Sequence, residues 1–176
     1  MRHRFVAPLC VLLIGAGLGG ARAQSPAAPE PDACASFDWP VLREQAWFSA
    51  PGLPRLASGA TLPAEMPGAT LDLSTDAQAR LPLTPSREPK PETRGGILHV
   101  PAPVTPGLYQ ITLSENAWLD VSQDGTTTKP PVATTRRRGC QGVVKSLRFQ
   151  FGTSPVMILV SGADVDAIKI AVAPAE

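Results

Sequence analysis

Histidine is nearly absent from this sequence, since His3 and His99 are the only two in 176 residues. His3 belongs to the N-terminal leader described below, which leaves His99 alone in the rest of the chain. A single imidazole excludes multi-histidine metal centres and most histidine-based catalytic relays. His99 stands on a predicted strand with no metal-ligand spacing beside it, and we interpret it as a structural or surface residue.

Charge of either sign is scarce as well, because only 18% of the residues are Asp, Glu, Lys or Arg. Sixteen basic residues nearly balance fifteen acidic ones, and Arg2, Arg4 and Arg22 of the basic set lie in the leader. No global basic field for nucleic acid exists. Aromatic residues make up 5%, whereas 20 prolines and 15 glycines are present. This composition argues against a helical bundle or coiled coil and favours a loop-rich β domain.

The first 23 residues have the pattern of a secretory signal peptide. A basic start precedes an apolar stretch over residues 5–18, and a small-x-small cleavage pattern ends at Ala23. The apolar stretch contains Pro8 and falls short of the ~18 residues that cross a bilayer, so a membrane anchor is the less favoured alternative. We therefore predict a periplasmic or secreted protein that does not span the membrane. Residues 24–33, rich in Pro and Ala, are expected to form a flexible linker.

Two cysteines, Cys34 and Cys140, remain after the leader, which contains Cys10, is removed. In an oxidising compartment an even number of cysteines predicts a disulfide, and only one pairing is possible here. A bridge that closes a loop of about a hundred residues stabilises by roughly 4 to 5 kcal/mol in the chain-entropy description, before native-state strain is subtracted. Two buried free thiols are the alternative.

Residues between Asp38 and Pro51 predict a short N-terminal helix. Asp38 is expected to cap the helix, and Pro40 in its first turn needs no hydrogen-bond donor. The expected apolar side consists of Val41, Leu42, Gln45, Ala46 and Phe48. Arg43 and Glu44 are expected to face water on the opposite side.

After Gly68 apolar residues alternate with polar ones, which is typical of half-buried strands. The predicted strands cover residues 69–73, 77–83, 97–100, 108–113, 117–121, 143–151, 156–161 and 168–172. They predict an all-β fold, an antiparallel β-sandwich with jelly-roll or Greek-key connections over residues 34–176. Both faces of residues 156–161 are apolar, so this strand is expected to be central. Lys145 falls on the apolar side of its strand, which suggests a nearby sheet edge, and residues 84–94 are expected to form an exposed loop.

Residues 108–123 have the clearest strand pattern in the chain. Two alternating runs surround Glu115 and Asn116, and this arrangement predicts a tight turn within a hairpin. Asp124 and Gly125 follow the second run and suit a turn that requires positive φ. Together these signals predict two paired strands followed directly by a second tight turn.

The stretch GLYQITLSENAWLDVSQDG, residues 107–125, resembles the core hairpin of small exported bacterial jelly-roll domains of the pre-peptidase C-terminal type. The resemblance covers residues 95–172 and implies a binding or secretion-associated accessory role. The chain as a whole, in CASFDWPVLREQAWF and later in RRGCQGVVKSLRFQF, is similar to a set of uncharacterised exported bacterial proteins. Some members of that set carry a transferred homogentisate 1,2-dioxygenase label.

The residues of this chain conflict with that label. Dioxygenases of that type are much longer, are cytoplasmic, and hold non-haem iron with two histidines and a carboxylate. His99 cannot complete such a triad alone, so we reject the activity. Serine catalysis is disfavoured too, because the sequence contains neither a G-x-S-x-G elbow nor an S-x-x-K motif.

Trp118 stands one position out of phase with Leu119 and Val121. If those two residues point inward, Trp118 and Asp120 point outward together. An exposed indole beside a carboxylate suits stacking on a sugar ring whose hydroxyls donate to the carboxylate. The alternative is that Trp118 packs beneath the N-terminal helix, with Trp47 as its neighbour.

Arg136, Arg137 and Arg138 form the strongest run of charge, within residues 126–138, which are expected to be a long exposed loop. These arginines could offer a local anion site for an acidic polysaccharide, a lipid headgroup or an acidic partner. A solvated loop is the alternative, because the overall charge is nearly neutral and no aromatic residues are interleaved.

Asp120 and Asp124 raise two further hypotheses, a calcium site and an acid–base pair. Their spacing fits no EF-hand loop, and turn geometry already accounts for Asp124. We expect no metal and no cofactor. The favoured interpretation is an exported, non-enzymatic binding or envelope-associated accessory module whose partner is an unidentified envelope component or glycan. The competing class is a carboxylate-based hydrolase of glycans that uses Asp120 and a second acid.

Overall fold

The structure of the protein, a computed structural model, describes residues 33–75 and 82–176. The predicted leader, residues 24–32 of the predicted linker and residues 77–81 of one predicted strand lie outside these ranges. Within the part of the chain that is described, no helix is long and apolar enough to cross a membrane.

The described chain consists mainly of strands. A short 3-10 helix at Ala33–Ser36 precedes the helix α1 at Leu42–Ser49. The strands are β1 Arg55–Leu56, β2 Gly68–Asp72, β3 Ser74–Thr75, β4 Arg94–Val100, β5 Gly107–Leu113, β6 Trp118–Ser122, β7 Ala133–Arg136, β8 Lys145–Phe151, β9 Val156–Ala163 and β10 Ala167–Pro174. Most of these strands have the alternating apolar pattern of the sequence, because each buries one face.

The strands form two sheets. One sheet has six strands in the order β1-β2-β10-β5-β8-β7, and the other has four in the order β3-β4-β9-β6. Adjacent strands are antiparallel except for β1 and β2, which run parallel. The predicted all-β sandwich with one short helix is therefore confirmed.

The main core lies between the two sheets and contains the inward side chains of both. Its fully buried members include Leu71, Leu98, Ile111, Leu113, Phe149, Phe151, Ile158, Ile168 and Ile170. Strand β9 lies between β4 and β6 and buries Leu159 on its outer face as well as Ile158 on its inner face. The prediction that this doubly apolar strand is central is confirmed.

The predicted hairpin over residues 108–123 is wrong. Strand β5 lies in the six-stranded sheet between β10 and β8, whereas β6 lies in the four-stranded sheet beside β9. Residues 114–117 therefore cross from one sheet to the other. Alternation shows which side chains a strand buries, but two runs that bury one face in a common core can pair side by side or face each other across it. Here they face each other.

The orientation predicted for the helix is also wrong. Its N-cap is Val41 with no side-chain capping bond, and Asp38 instead pairs with Arg137 at 2.6 Å. Leu42 is 55% exposed, whereas Glu44 is only 1% exposed. The buried residues Val41, Glu44 and Phe48 follow helical spacing, so one face of the helix is buried. A hydrophobicity pattern does not predict that Glu44 lies on this face, because its side chain is charged. The helix ends before Pro51, as predicted.

A third wrong prediction concerns residues 126–138, which contain the strand β7 and are not a continuous loop. Ala133 and Arg136 pair with β8 at the edge of the six-stranded sheet. The polar sequence of β7 concealed it, because an edge strand buries little and shows weak alternation. The turn at Gly125 does have positive φ, at 74°, as predicted.

The N-terminal segment covers the outer face of the six-stranded sheet. The predicted disulfide between Cys34 and Cys140 is confirmed, and both residues are buried. They belong to a second apolar cluster with Phe37, Trp39, Val41, Phe48, Val143 and Ala171. This cluster holds the helix against the sandwich, which leaves the outer face of the other sheet available for a site.

Candidate functional site

Strand β6 places Trp118 and Asp120 on the outer face of the four-stranded sheet. Leu119 and Val121 between and beyond them are buried in the main core. Trp118 is 40% exposed, whereas Asp120 is 4% exposed. The two residues share a face, as alternation along a strand requires, but only the indole is accessible to a ligand.

The indole of Trp118 is bordered by two cations and a glycine. The Arg87 guanidinium lies 4.3 Å from the ring centroid, and the Lys145 ammonium lies 4.9 Å from it. Gly162 on β9 has φ of +67°, and a Cβ at this position would come within 3.0 Å of the Trp118 Cδ1 atom. The glycine therefore makes room for the ring, and the sequence contains no local signal for this contact.

The alternative that places Trp118 beneath the N-terminal helix is wrong. The helix belongs to the apolar cluster on the six-stranded sheet, while Trp118 lies on the other sheet. Trp47, its expected neighbour, packs against that cluster and lies under the guanidinium of Arg43 at 5.0 Å.

Asp120 is covered by the segment that was expected to be an exposed loop. The backbone N–H of Ser86 donates to the Asp120 Oδ2 atom at 3.0 Å. The same segment brings Arg87 over the indole of Trp118. Its prolines predicted a loop correctly, but they gave no signal that the loop folds onto the sheet.

Lys145 is, with Arg87, a functional candidate that the sequence analysis does not identify. It is buried among the inward residues of β8, and its Nζ atom donates to the Ala117 carbonyl at 2.9 Å. Burial lowers the pKa of Lys145, the positive charge of Arg136 lowers the pKa further, and Asp120 opposes the shift. The available sequence signals are a cation on the apolar side of a strand, which indicates a nearby sheet edge, and its closeness in sequence to the arginine run; neither signal predicts a contact with Trp118.

Two small cavities meet at Trp118, which lines both. The first, about 300 Å³, is also lined by Asp120, Lys129 and Lys145. The second, about 280 Å³, is lined by Arg87, Lys90, Arg136, Glu88 and Asp164. We name Trp118 with Arg87, Asp120, Arg136 and Lys145 the Trp118 face. Cationic side chains outnumber carboxylates in the lining of each cavity, so the site favours anions locally although the chain is nearly neutral.

The arginine run does not act as one patch. Arg136 donates to the Asn116 side chain at 3.2 Å and lines the second cavity. Arg137 is tied to Asp38 and donates to the Ser36 carbonyl at 2.6 Å, so it anchors the N-terminal segment. Arg138 is exposed and lines neither cavity. Successive residues of an extended chain point in different directions, which separates the three.

Asp124 is occupied by its own turn. Its carboxylate accepts hydrogen bonds from the backbone N–H groups of Thr126 and Thr127 at 2.8 Å each, and from the hydroxyls of Ser122 and Thr127. These bonds lower the pKa of Asp124 below the ordinary carboxyl range. Among the described residues no group of three or more His, Cys, Asp or Glu could hold a metal ion.

The cavity that Asp120 lines offers little for carboxylate catalysis. Its described lining contains Lys129 and Lys145 but no second carboxylate. A glycoside hydrolase of the usual kind places two carboxyl groups on either side of the bond it cleaves. What this arrangement can do is stack a ring on Trp118 and pair an anionic substituent with the surrounding cations.

In comparisons with known proteins, the chain matches no protein-family model, no curated protein and no solved structure.

Proposed function

We propose that this protein is an exported, non-enzymatic binding module that recognises an acidic glycan through the Trp118 face. The single observation that carries the proposal is an indole, 40% exposed, that lines two cavities and is bordered by Arg87 and Lys145. Export is supported by the predicted leader and agrees with the buried disulfide, which is typical of proteins from oxidising compartments.

Ring stacking would supply the apolar part of recognition. Aromatic side chains provide a large rigid surface with few rotatable bonds, which suits a sugar ring. Arg87 now lies over the indole, but an exposed cation–π contact is worth only about 0.5 to 1 kcal/mol. A ligand can therefore displace the guanidinium from the ring, and Arg87 can then pair with a carboxylate of the ligand.

The fixed cations would supply selectivity for acidic sugars. Lys145 is buried and is held in place by its bond to the Ala117 carbonyl, and Arg136 donates to the Asn116 side chain nearby. Positions that are fixed before binding cost less conformational entropy when the ligand arrives. Because the interaction is partly ionic, we expect the affinity to fall as salt concentration rises.

A binding role is favoured over the competing hydrolase. Asp120 is 4% exposed and accepts a backbone hydrogen bond from Ser86, so it is placed to hold the 82–93 segment on the sheet. The resemblance to exported jelly-roll domains of the pre-peptidase C-terminal type implies the same kind of accessory role.

Calorimetric titration with polygalacturonate, and with neutral dextran as a matched uncharged polymer, tests the proposal. We expect saturable binding of polygalacturonate only, weakened about tenfold or more in Trp118→Ala, as for a central aromatic contact. Trp47→Ala is the matched control, because Trp47 also lies beside an arginine but belongs to the other face.

Two results would contradict this function. Equal affinity of Trp118→Ala and the wild type for polygalacturonate would remove the indole from recognition. Release of reducing ends from the polymer by the wild type, abolished in Asp120→Asn, would establish the hydrolase in its place. Both measurements use the full mature chain.

A further inference from the structure

An apolar groove lies at one end of the sandwich, away from the residues that form the Trp118 face. Its volume is about 610 Å³, which is about twice that of either cavity beside Trp118. Its walls come from two connections, residues 62–66 before β2 and residues 101–106 between β4 and β5, together with the ends of several strands. Ligand pockets in proteins typically measure about 300 to 1,000 Å³.

The described residues that line the groove are mostly apolar, and none of them is charged. Of these described lining residues only Tyr109 has an ionisable side chain, and its hydroxyl donates to the Thr105 carbonyl at 2.9 Å. Five prolines contribute to the lining, and proline has no backbone N–H. They are Pro63, Pro101, Pro103, Pro106 and Pro174. The groove therefore offers few hydrogen-bond donors to a sugar, an anion or an extended peptide.

The floor of the groove is already ordered. The rings of Tyr109 and Phe151 are stacked with their centroids 5.4 Å apart, and Phe151 continues into a second stacked contact with Phe149. Phe151 and Val156 are buried in the main core. At the rim, Val104 is 98% exposed. A rigid apolar floor with an exposed apolar rim reduces the ordering cost of binding a hydrocarbon.

We infer that this groove binds a single unbranched acyl chain. An uncharged, donor-poor wall complements a hydrocarbon and disfavours polar occupants, because an unpaired polar group in such a site is costly. A protein partner of ordinary affinity needs about 800 Å² of its own surface and roughly one hydrogen bond per 100 to 200 Å², which a donor-poor concavity does not provide. This site is separate from the Trp118 face and does not rest on the proposed glycan function.

Displacement of the fluorescent probe N-phenyl-1-naphthylamine from the mature chain tests the inference. We expect saturable probe binding and competition by saturated fatty acids from octanoate to palmitate. Affinity should tighten about fourfold for each added methylene until the groove is filled, which is the burial free energy of one methylene expressed as a ratio. Polygalacturonate should not displace the probe.

A matched pair of glycine variants locates the binding. Gly107 lines the groove, and a Cβ there meets no atom within 4 Å, so Gly107→Leu adds bulk to open space. Gly152→Leu makes the same change outside the groove lining, where the nearest atom is the Gln123 Oε1 at 4.0 Å. We expect Gly107→Leu to weaken fatty-acid binding by about tenfold or more and Gly152→Leu to leave it unchanged.

The inference is overturned if the wild type shows no saturable probe binding, if affinity does not depend on chain length, or if Gly107→Leu binds as tightly as Gly152→Leu. Should Gly107→Leu fail to fold, Val104→Asp replaces it, since this rim residue is almost fully exposed and is not part of the core. A charge at the rim should weaken binding of the uncharged probe about threefold or more, and unchanged binding would overturn the inference equally.

Discussion

The outer faces of the two sheets each carry a tryptophan beneath an arginine, in different settings. On the six-stranded sheet the Arg148 guanidinium lies 4.4 Å from the ring centroid of Trp39, and on the four-stranded sheet Arg87 lies 4.3 Å from that of Trp118. Trp39 is 9% exposed and Trp118 is 40% exposed. The same pair of residue types therefore has a buried indole on one sheet and an accessible indole on the other.

The partners of each ring explain the difference. The Trp39 indole N–H donates to the Ser146 hydroxyl at 2.9 Å, which in turn meets the Thr112 hydroxyl at 3.0 Å. The Trp118 indole is 40% exposed to solvent, and Arg87 above it belongs to a loop. A buried ring whose N–H is bonded within the protein stabilises the fold, whereas an exposed ring with a displaceable neighbour is suited to a ligand.

Removing the disulfide should mainly destabilise the packing of the N-terminal segment against the six-stranded sheet. We expect the double variant Cys34→Ala, Cys140→Ala to lose roughly 4 to 5 kcal/mol of unfolding free energy, since the bridge closes a loop of about a hundred residues. Denaturant unfolding of the two proteins measures the difference. Polygalacturonate binding at the Trp118 face should persist in the folded fraction. A loss below about 1 kcal/mol would show that packing alone holds the N-terminal segment.

Matched phenylalanine variants compare the two indoles directly. Trp39→Phe removes the bond to Ser146 and part of a buried ring, so we expect a loss of roughly 2 kcal/mol in unfolding free energy. Trp118→Phe changes an exposed side chain and should stay within about 0.5 kcal/mol of the wild type. Equal losses in the two variants, measured by denaturant unfolding, would remove the distinction between a structural and an available tryptophan.

Alanine substitution at two glycines with positive φ allows the effect of backbone strain to be measured separately from displacement of the Trp118 ring. Gly162 and Gly142 have φ of +67° and +80°, and only at Gly162 would a Cβ meet the Trp118 ring. Substitution by alanine should cost each about 1 kcal/mol of stability through the left-handed backbone. We expect only Gly162→Ala to weaken polygalacturonate binding as well. The same binding loss in Gly142→Ala would mean that strain alone, transmitted through the fold, changes the site.

The smallest effect concerns the turn that follows β6. Hydrogen bonds lower the pKa of Asp124 in the folded state, so its contribution to stability is complete above about pH 4, the ordinary carboxyl range, and declines as the pH falls further. Asp124→Asn should therefore have a flatter dependence of unfolding free energy on pH in this acidic window. Glu115→Gln, at an exposed carboxylate between β5 and β6, serves as the control. Parallel pH profiles for Asp124→Asn and the wild type would contradict the linkage.

Part of the fold was predictable because it depends on local pattern. Residues 156–161 are apolar on both faces and form a central strand, and the positive φ at Gly125 follows from turn chemistry. The predicted hairpin over residues 108–123 was wrong because alternation does not distinguish a strand that pairs in the same sheet from one that packs across the core. The prediction that Glu44 faces water was wrong for a related reason, because Glu44 is buried together with an ion pair to Arg43 at 2.7 Å, which local pattern does not reveal.

The candidate site was predictable only in outline. Trp118 follows from being out of phase with its apolar neighbours, but the covering of Asp120 by Ser86 does not follow from any local signal. The apolar groove could not be predicted, because its walls come from two connections that are separate in the sequence and meet only in the fold.

By itself, the sequence determined that the chain forms strands, which side chains of most strands face the core, and that the two cysteines outside the predicted leader can pair in only one way. These properties depend on residues a few positions apart or on a simple count. Only the tertiary structure decided which sheet each strand joins and which side chains meet around Trp118. Arg87, Lys145 and Gly162 lie 27 to 44 residues from Trp118 along the chain, and their contacts arise from the free energy of packing two sheets and their connections together.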